Sequence, residues 1–306
     1  MIKKTLLLAA TAFGLSACAT MEPAPRLGNT APEGVIDPAV WRVADEDTTV
    51  YMLGTFHMLP ENYNWQTDTI QAALAESDEV YFEIADDLSN PAALQPLIME
   101  LALDPSQPTL AARVGEENAK RIAAMVAPMG LPAQALNAMD TWFVGLTMAQ
   151  AVAMKAGMSG ETGVEMTLRK LVEARGLPIK GLETAREQLT YLDTMSPEAQ
   201  RKFTVDSLED TTDEEILAEF AKMQSAWSRG DEAAIGNVFN EGMEIGSEVR
   251  SALLTRRNTD WTGDIVQRMA QPGTVFVAVG AGHLVGDDSV VAQLRKRGYT
   301  VTRIDD

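Results

Sequence analysis

Two short phrases far apart in the chain end alike, and each contains one of its two histidines. The first reads Thr49-Val50-Tyr51-Met52-Leu53-Gly54-Thr55-Phe56-His57, and the second Thr274-Val275-Phe276-Val277-Ala278-Val279-Gly280-Ala281-Gly282-His283. In both, an apolar, β-branched run suited to a buried strand stops at glycine, and the imidazole follows on the turn. Ligands and reactive groups in sheet-based folds gather beyond the carboxyl ends of strands. The repeated phrase therefore points to one site built from both ends of the chain.

Two carboxylates repeat this placement. Glu83 ends the β-rich run 79–84, and Glu183 follows Ile179-Lys180-Gly181-Leu182. Four strand ends thus present His57, Glu83, Glu183 and His283. A carboxylate at the end of an apolar strand is costly to desolvate unless it meets a cation or hydrogen-bond donors. Imidazole nitrogen with carboxylate oxygen is a ligand set for Zn, Mn, Fe or Co, and three protein ligands leave a position for water. Glu183 can equally serve the N-terminus of the helix that begins at Thr184. Beyond Glu83, Asp86 or Asp87 can act as a cap. Further along, Arg256-Arg257-Asn258 precedes Thr259-Asp260-Trp261. A buried arginine there would hold a substrate carboxylate or a developing oxyanion, whereas a surface one would pair with acidic neighbours.

The remaining periodicity predicts a mixed α/β fold, with a central sheet built from N- and C-terminal strands and a large helical middle section. Runs 39–43 and 49–54 flank the polar turn Ala44-Asp45-Glu46-Asp47 and form a hairpin. A helix capped by Asn64 and running to about Glu76 then gives a strand–helix–strand start. Residues 91–156 are helical throughout and rich in methionine, a pattern that suits core packing or an adaptable groove. An amphipathic helix covers 163–174, a strand 178–182, and helices capped by Ser196, Thr212 and Asp231 fill most of 184–270. The chain closes with a strand over 274–279, a helix over 288–297 and a strand over 299–304.

The first residues read as an export signal. Lys3 and Lys4 precede a short apolar stretch and then Leu15-Ser16-Ala17-Cys18, the layout of a bacterial lipobox in which Cys18 is acylated. The expected organisation is a signal peptide over 1–17, a lipidated Cys18 with a tether over 18–35, and one domain over 36–306 with a helical insertion at about 91–156. Ala19 after the cysteine points to the outer membrane, facing the periplasm. Cys18 is the single cysteine, so disulfides and cysteine chemistry are excluded and an apolar core must supply stability. The net charge of −19 repels phosphate backbones and argues against nucleic acid as a partner.

Gly54-Thr55-Phe56-His57, Glu83 after its strand, Gly181-Leu182-Glu183-Thr184, Arg257-Asn258 with Trp261, and Gly280-Ala281-Gly282-His283 occur in this order. In this the chain resembles the TraB/PrgY/GumN family, to which the Tiki proteases also belong. The resemblance implies a core related to the erythromycin-esterase and ChaN-like folds. It also implies a metal-dependent peptidase using manganese or cobalt, with His57 and His283 as the paired histidines and Glu83 as the essential glutamate.

The first functional expectation is a lipid-anchored periplasmic metallohydrolase acting on peptide bonds. His57, His283 and one glutamate, Glu83, would hold a divalent Mn, Co or Zn ion. Glu183 or Glu83 would activate water, and Arg257 or Asn258 would stabilise the oxyanion. The second is a binding protein that captures a peptide, haem or iron without turnover, since two histidines also suit haem ligation. The third is an esterase of the erythromycin-esterase type.

Overall fold

The computed structural model describes residues 36–57, 59, 63–86, 91–155, 162–205, 208, 213–242 and 246–304. The expected signal peptide, Cys18, the tether, Asp87 and the Thr212 cap lie outside the described residues. Six strands form one mixed sheet: β1 (Val40–Ala44), β2 (Thr48–Thr55), β3 (Glu79–Ile84), β4 (Ile179–Glu183), β5 (Gly273–Gly280) and β6 (Val301–Ile304). Their order is β4-β3-β5-β2-β1-β6. The α/β class and the sheet built from both chain ends are as expected. β1 and β2 make the expected hairpin, turned by Asp45, whose Oδ1 accepts from the Thr48 amide at 2.9 Å.

The middle of the sheet fixes everything that follows. β5 runs parallel to β2 on one side and to β3 on the other, and β4 runs parallel to β3. The strand–helix–strand start is present as β2, α1 (Asp68–Glu76) and β3, but β5 lies between its two strands. A buried parallel strand needs apolar residues on both faces. β5 meets this with Val275, Phe276, Val277, Ala278 and Val279, all buried. Four carboxyl ends therefore face the same way, and the pairing of Thr55 with Gly280 brings the two Gly-x-x-His turns side by side.

Helices supply the remainder: α2 (Pro91–Leu101), α3 (Leu110–Val114), α4 (Glu116–Val126), α5 (Thr141–Lys155), α6 (Val164–Ala174), α7 (Ala185–Asp193), α8 (Pro197–Val205), α9 (Asp213–Ser228), α10 (Glu232–Gly242), α11 (Ser247–Arg250), α12 (Arg256–Met269) and α13 (Val290–Lys296). Met139 and Met148 of the helical middle are core residues, while Met99 is exposed. Gly145 of α5 lets Phe203 and Thr204 of α8 approach closely, and the Thr204 hydroxyl donates to the Thr141 carbonyl at 2.7 Å. Among the described residues, no helix is long and apolar enough to cross a membrane.

Several boundaries shift for identifiable reasons. α1 starts at Asp68 behind a Thr67 cap rather than at Asn64; Trp65 is buried in the core, and the Thr67 amide donates back to the Trp65 carbonyl in a tight turn before the helix. α13 starts at Val290 behind Ser289, because the Asp288 carboxylate is drawn to Arg250 and Thr255. β6 starts at Val301 because the Tyr299 amide closes α13 by donating to the Leu294 carbonyl. Ser196 and Asp231 cap their helices as expected, accepting from the Ala199 and Ala234 amides.

Candidate metal and carboxylate centre

His57 leaves β2 on a turn that α6 packs against. The Val164 amide donates to the Phe56 carbonyl, and a side chain at Gly163 would overlap the His57 carbonyl. This close approach places Glu165, in the first turn of α6, beside the imidazole. His57 Nδ1 lies 2.7 Å from Glu165 Oε2, and Thr55 Oγ1 donates to Glu165 Oε1 at 3.2 Å. With Nδ1–H given to the carboxylate, Nε2 is the lone-pair atom of the neutral ring. That nitrogen is buried and has no hydrogen-bond partner among the described residues. Burial opposes charge on His57, but Glu165 and then Glu83 outweigh it and raise the imidazole above its ordinary value.

Glu83, at the end of β3, is 5% exposed. Its Oε1 accepts from the Gly280 amide at 2.8 Å, and its Oε2 accepts from Arg257 at 2.6 Å and Gln188 at 3.3 Å. Burial alone would raise this carboxyl. Arg257, the two histidines and the Gly280 amide reverse that and hold it at about 2.

Glu183 is freed from helix capping. Thr184 caps α7 instead, in a reciprocal arrangement with Glu187. Glu183 Oε1 accepts from Arg257 Nη2 at 2.7 Å and from Gln188 at 2.9 Å, and its Oε2 accepts from Trp261 Nε1 at 3.2 Å. Burial and the neighbouring Glu83 charge push the Glu183 carboxyl up against the pull of Arg257.

A π-helical turn, Ser251–Thr255, joins α11 to α12 and is followed at once by Arg257 and Asn258. Such turns insert a residue into the helical repeat and are frequent at functional sites. Arg257 is 1% exposed, so the buried alternative holds. Its five N–H groups are all engaged within the protein. Nε donates to both Glu183 oxygens at 3.1 Å, and Nη2 donates to Glu83 and Glu183. Nη1 donates to the Leu253 carbonyl at 3.1 Å and faces His283 Nε2 at 3.2 Å. The role expected from the sequence, receiving an oxyanion, would need a donor that is already committed here.

Asn258 turns to His283, not to open space. Its Nδ2 donates to the Asp288 carbonyl at 3.0 Å, so Oδ1 faces His283 Nδ1, 2.6 Å away. Burial and then the Arg257 charge push the His283 imidazole down to about 3, so it is neutral. The Trp261 ring backs it at 4.4 Å between centroids.

The six residues expected from the sequence therefore converge at the carboxyl edge of β4, β3, β5 and β2. The tightest group of candidate metal donors, however, is His57, Glu83 and Glu165, whose donor atoms lie within 4.8 Å of one another. His283 Nε2 is 3.8 Å from Glu83 Oε1 and faces the arginine. Glu165 and Gln188 were missed. An acid in a helix's first turn reads as a favourable charge at the dipole, and nothing in the spacing ties Glu165 to His57.

Space for a cation is also present. A Cβ built on Gly280 would lie 3.2 Å from Glu83 Oε1 and 3.7 Å from His57 Nε2. The missing side chain leaves a gap bordered by both donors. The glycine gap, the buried unpartnered nitrogen and the group of Glu83, Glu165 and Glu183, of which Arg257 answers two, fit a divalent ion.

Comparison with known proteins agrees with the motif order. YbaP of Escherichia coli strain K12, described as an uncharacterized protein, is 24% identical over 196 residues, covering 62% of this chain and 70% of its own length. YbaP of Shigella flexneri matches to the same extent. No solved structure matches the chain. The model of the TraB/PrgY/gumN family matches residues 39–303, a span that includes β2 to β5 and every residue of the site. The chain belongs to the TraB/PrgY/gumN family.

Proposed function

We propose that this protein is a metal-dependent hydrolase acting on peptide bonds, with its centre at His57, Glu83 and Glu165. The single observation that supports this most is the His57 Nε2 atom, buried and without a partner at the mouth of the Gly280 gap. Leaving a buried nitrogen unpaired costs about 1–3 kcal/mol, which a bound cation would offset. The charge balance agrees. Glu83, Glu165 and Glu183 outnumber Arg257, and such an excess of negative charge away from water needs a cation or a proton. Nitrogen and oxygen donors suit Mn, Co or Zn.

His57 through Nε2 and Glu83 through Oε1 would hold the ion. A bound divalent ion supplies Lewis-acid polarisation of a carbonyl and makes water more acidic. Glu165 fixes the His57 tautomer through Nδ1–H, the carboxylate–histidine arrangement that orients metal-bound imidazoles. It is also a quarter exposed, at 25%, whereas Glu183 is enclosed by Arg257, Gln188 and Trp261. Glu165 Oε1, which accepts from Thr55 at 3.2 Å, is therefore the more accessible acceptor for a proton leaving water, reached through an intervening water because Glu165 lies across the imidazole from Nε2. The choice of peptide bonds rests on the likeness to the Tiki proteases. A lipid anchor on Cys18 and a place in the bacterial envelope rest on the N-terminal pattern.

Elemental analysis of untagged protein from its own envelope fraction tests the reading. The expected result is about one equivalent of a divalent transition metal, lost in His57→Ala without loss of the cooperative unfolding transition. The wild type should cleave a peptide library. Stoichiometric metal in His57→Ala, or a metal-loaded wild type that cleaves no peptide, would reject it. Glu165→Gln separates the carboxylate's two jobs, because its amide oxygen can still accept from His57 Nδ1–H but cannot take a proton. Its metal content should persist while kcat falls roughly 10²–10⁴-fold. Equal loss of both would make Glu165 a ligand.

A further inference from the structure

We infer that the two Gly-x-x-His histidines have different jobs: His57 is the one imidazole that binds the ion, and His283 is a positioning residue that holds Arg257 and, through it, Glu83. This rests on the metal-dependent reading of the same centre.

The two rings share a tautomer but not a partner. Each gives Nδ1–H away, His57 to Glu165 and His283 to Asn258. The Asn258 orientation is fixed independently by its Nδ2 bond to the Asp288 carbonyl. Each ring therefore offers Nε2 as an acceptor. On His57 that atom has no hydrogen-bond partner among the described residues. On His283 it receives Arg257 Nη1–H at 3.2 Å. The edges that border the Gly280 gap differ in the same way. His57 presents Nε2 to it, at 3.7 Å from the position a Cβ would take, whereas the nearest His283 atom is the carbon Cδ2, at 3.6 Å.

What His283 does instead follows from the arginine. With Nη1 held by His283 and the Leu253 carbonyl, the guanidinium plane is set, so Nη2 meets Glu83 Oε2 at 2.6 Å. Glu83 Oε1 is thereby left toward the gap, with the Gly280 amide as its partner. Trp261 packs against both members, with its ring 4.6 Å from Arg257 Cζ and 4.4 Å from the tilted His283 ring. The sequence repeat is thus symmetric while its chemistry is not.

Because the chain has only two histidines, ¹⁵N-histidine labelling of the full protein resolves the question. Imidazole ¹H–¹⁵N spectra would be recorded before and after adding ¹¹³Cd²⁺, with signals assigned using His283→Gln. Cadmium coupling should split His57 Nε2 alone, and both rings should show Nδ1–H in the absence of metal. Splitting of both Nε2 signals would overturn the inference and leave the metal-dependent reading standing. Bound cadmium with neither signal split, or no cadmium binding, would remove the reading and the inference together. Affinity gives a second measure: His283→Ala should weaken cadmium binding roughly 10–100-fold at unchanged stoichiometry, as loss of an outer-shell partner does. His283→Gln, which restores an acceptor for Arg257, should recover most of it. Zero stoichiometry in a folded His283→Gln would make His283 a ligand.

Discussion

Arg257→Leu should cost the fold about 3–5 kcal/mol at neutral pH, the usual penalty for removing one partner of a buried ion pair. The guanidinium is 1% exposed, and two buried carboxylates depend on it. Leucine leaves Glu83 and Glu183 facing each other without a cation, and removes the donor that meets His283 Nε2. Urea denaturation of wild type and variant measures the loss as a lower midpoint at similar slope. The size of the loss depends on pH in a direction the geometry fixes. In the wild type Glu83 is held at about 2, below its ordinary 4.5, so its contribution is complete above 4.5 and fades as pH falls toward 2. In Arg257→Leu both carboxyls shift upward, because burial and mutual repulsion then lose their main opponent and face only the donors Gly280 N–H, Gln188 and Trp261 and the two histidines. A raised acid destabilises the fold at neutral pH and ceases to do so once protonated. Acidification should therefore remove the Glu83 contribution from the wild type, raise the stability of the variant, and narrow the gap between them. A gap of the same size at pH 7 and pH 3 would show that Arg257 matters for packing and not for charge.

The same arginine marks where the sequence stopped being readable. Strand ends were legible because β-branched runs stop at glycine or glutamate: β3 falls at Glu79–Ile84 as expected, and the four groups His57, Glu83, Glu183 and His283 share one edge. Periodicity does not contain the spatial order of strands. The insertion of β5 between β2 and β3 is a long-range pairing, and only that order brings Gly280 against Glu83. Nor does a residue's type say who answers its charge. Arg257 reads equally well as a buried substrate anchor or a surface ion-pair partner, and it is neither alone, because Glu83 and Glu183 arrive from two separate strands and make it an internal counterion. Glu165 was hidden for a similar reason. Its partnership with His57 comes from Gly163 packing against the His57 carbonyl, a tertiary contact with no sequence period. The Thr184–Glu187 capping box was legible, since Thr-x-x-Glu is a local signal, and it would have released Glu183 from the capping alternative.

Gly280→Ala should abolish metal binding while leaving the fold intact, which makes it the sharpest single test of where the ion sits. The position tolerates a side chain in backbone terms, because its φ of −49° and ψ of 135° are open to alanine. Space is the only conflict. The added methyl would stand 3.2 Å from Glu83 Oε1, 3.6 Å from His283 Cδ2 and 3.7 Å from His57 Nε2, filling the gap that both donor atoms border. The 3.2 Å approach is tighter than ordinary contact and requires the Glu83 carboxylate to give by a few tenths of an ångström, while the other two distances are ordinary van der Waals contacts. An ion needs donors at about 2.0–2.2 Å, and a methyl group between them forbids that. The expected result is a Kd raised at least 100-fold, with a melting temperature of the metal-free protein within a few degrees of the wild type. His57→Ala removes a ligand and Gly280→Ala removes the room, so the two should fail alike in calorimetric titration with Mn²⁺ or Zn²⁺. Unchanged affinity in Gly280→Ala would move the ion out of this gap, toward the outer side of His57 where Glu165 lies. It would also make Glu165, and not Glu83, the first carboxylate to test.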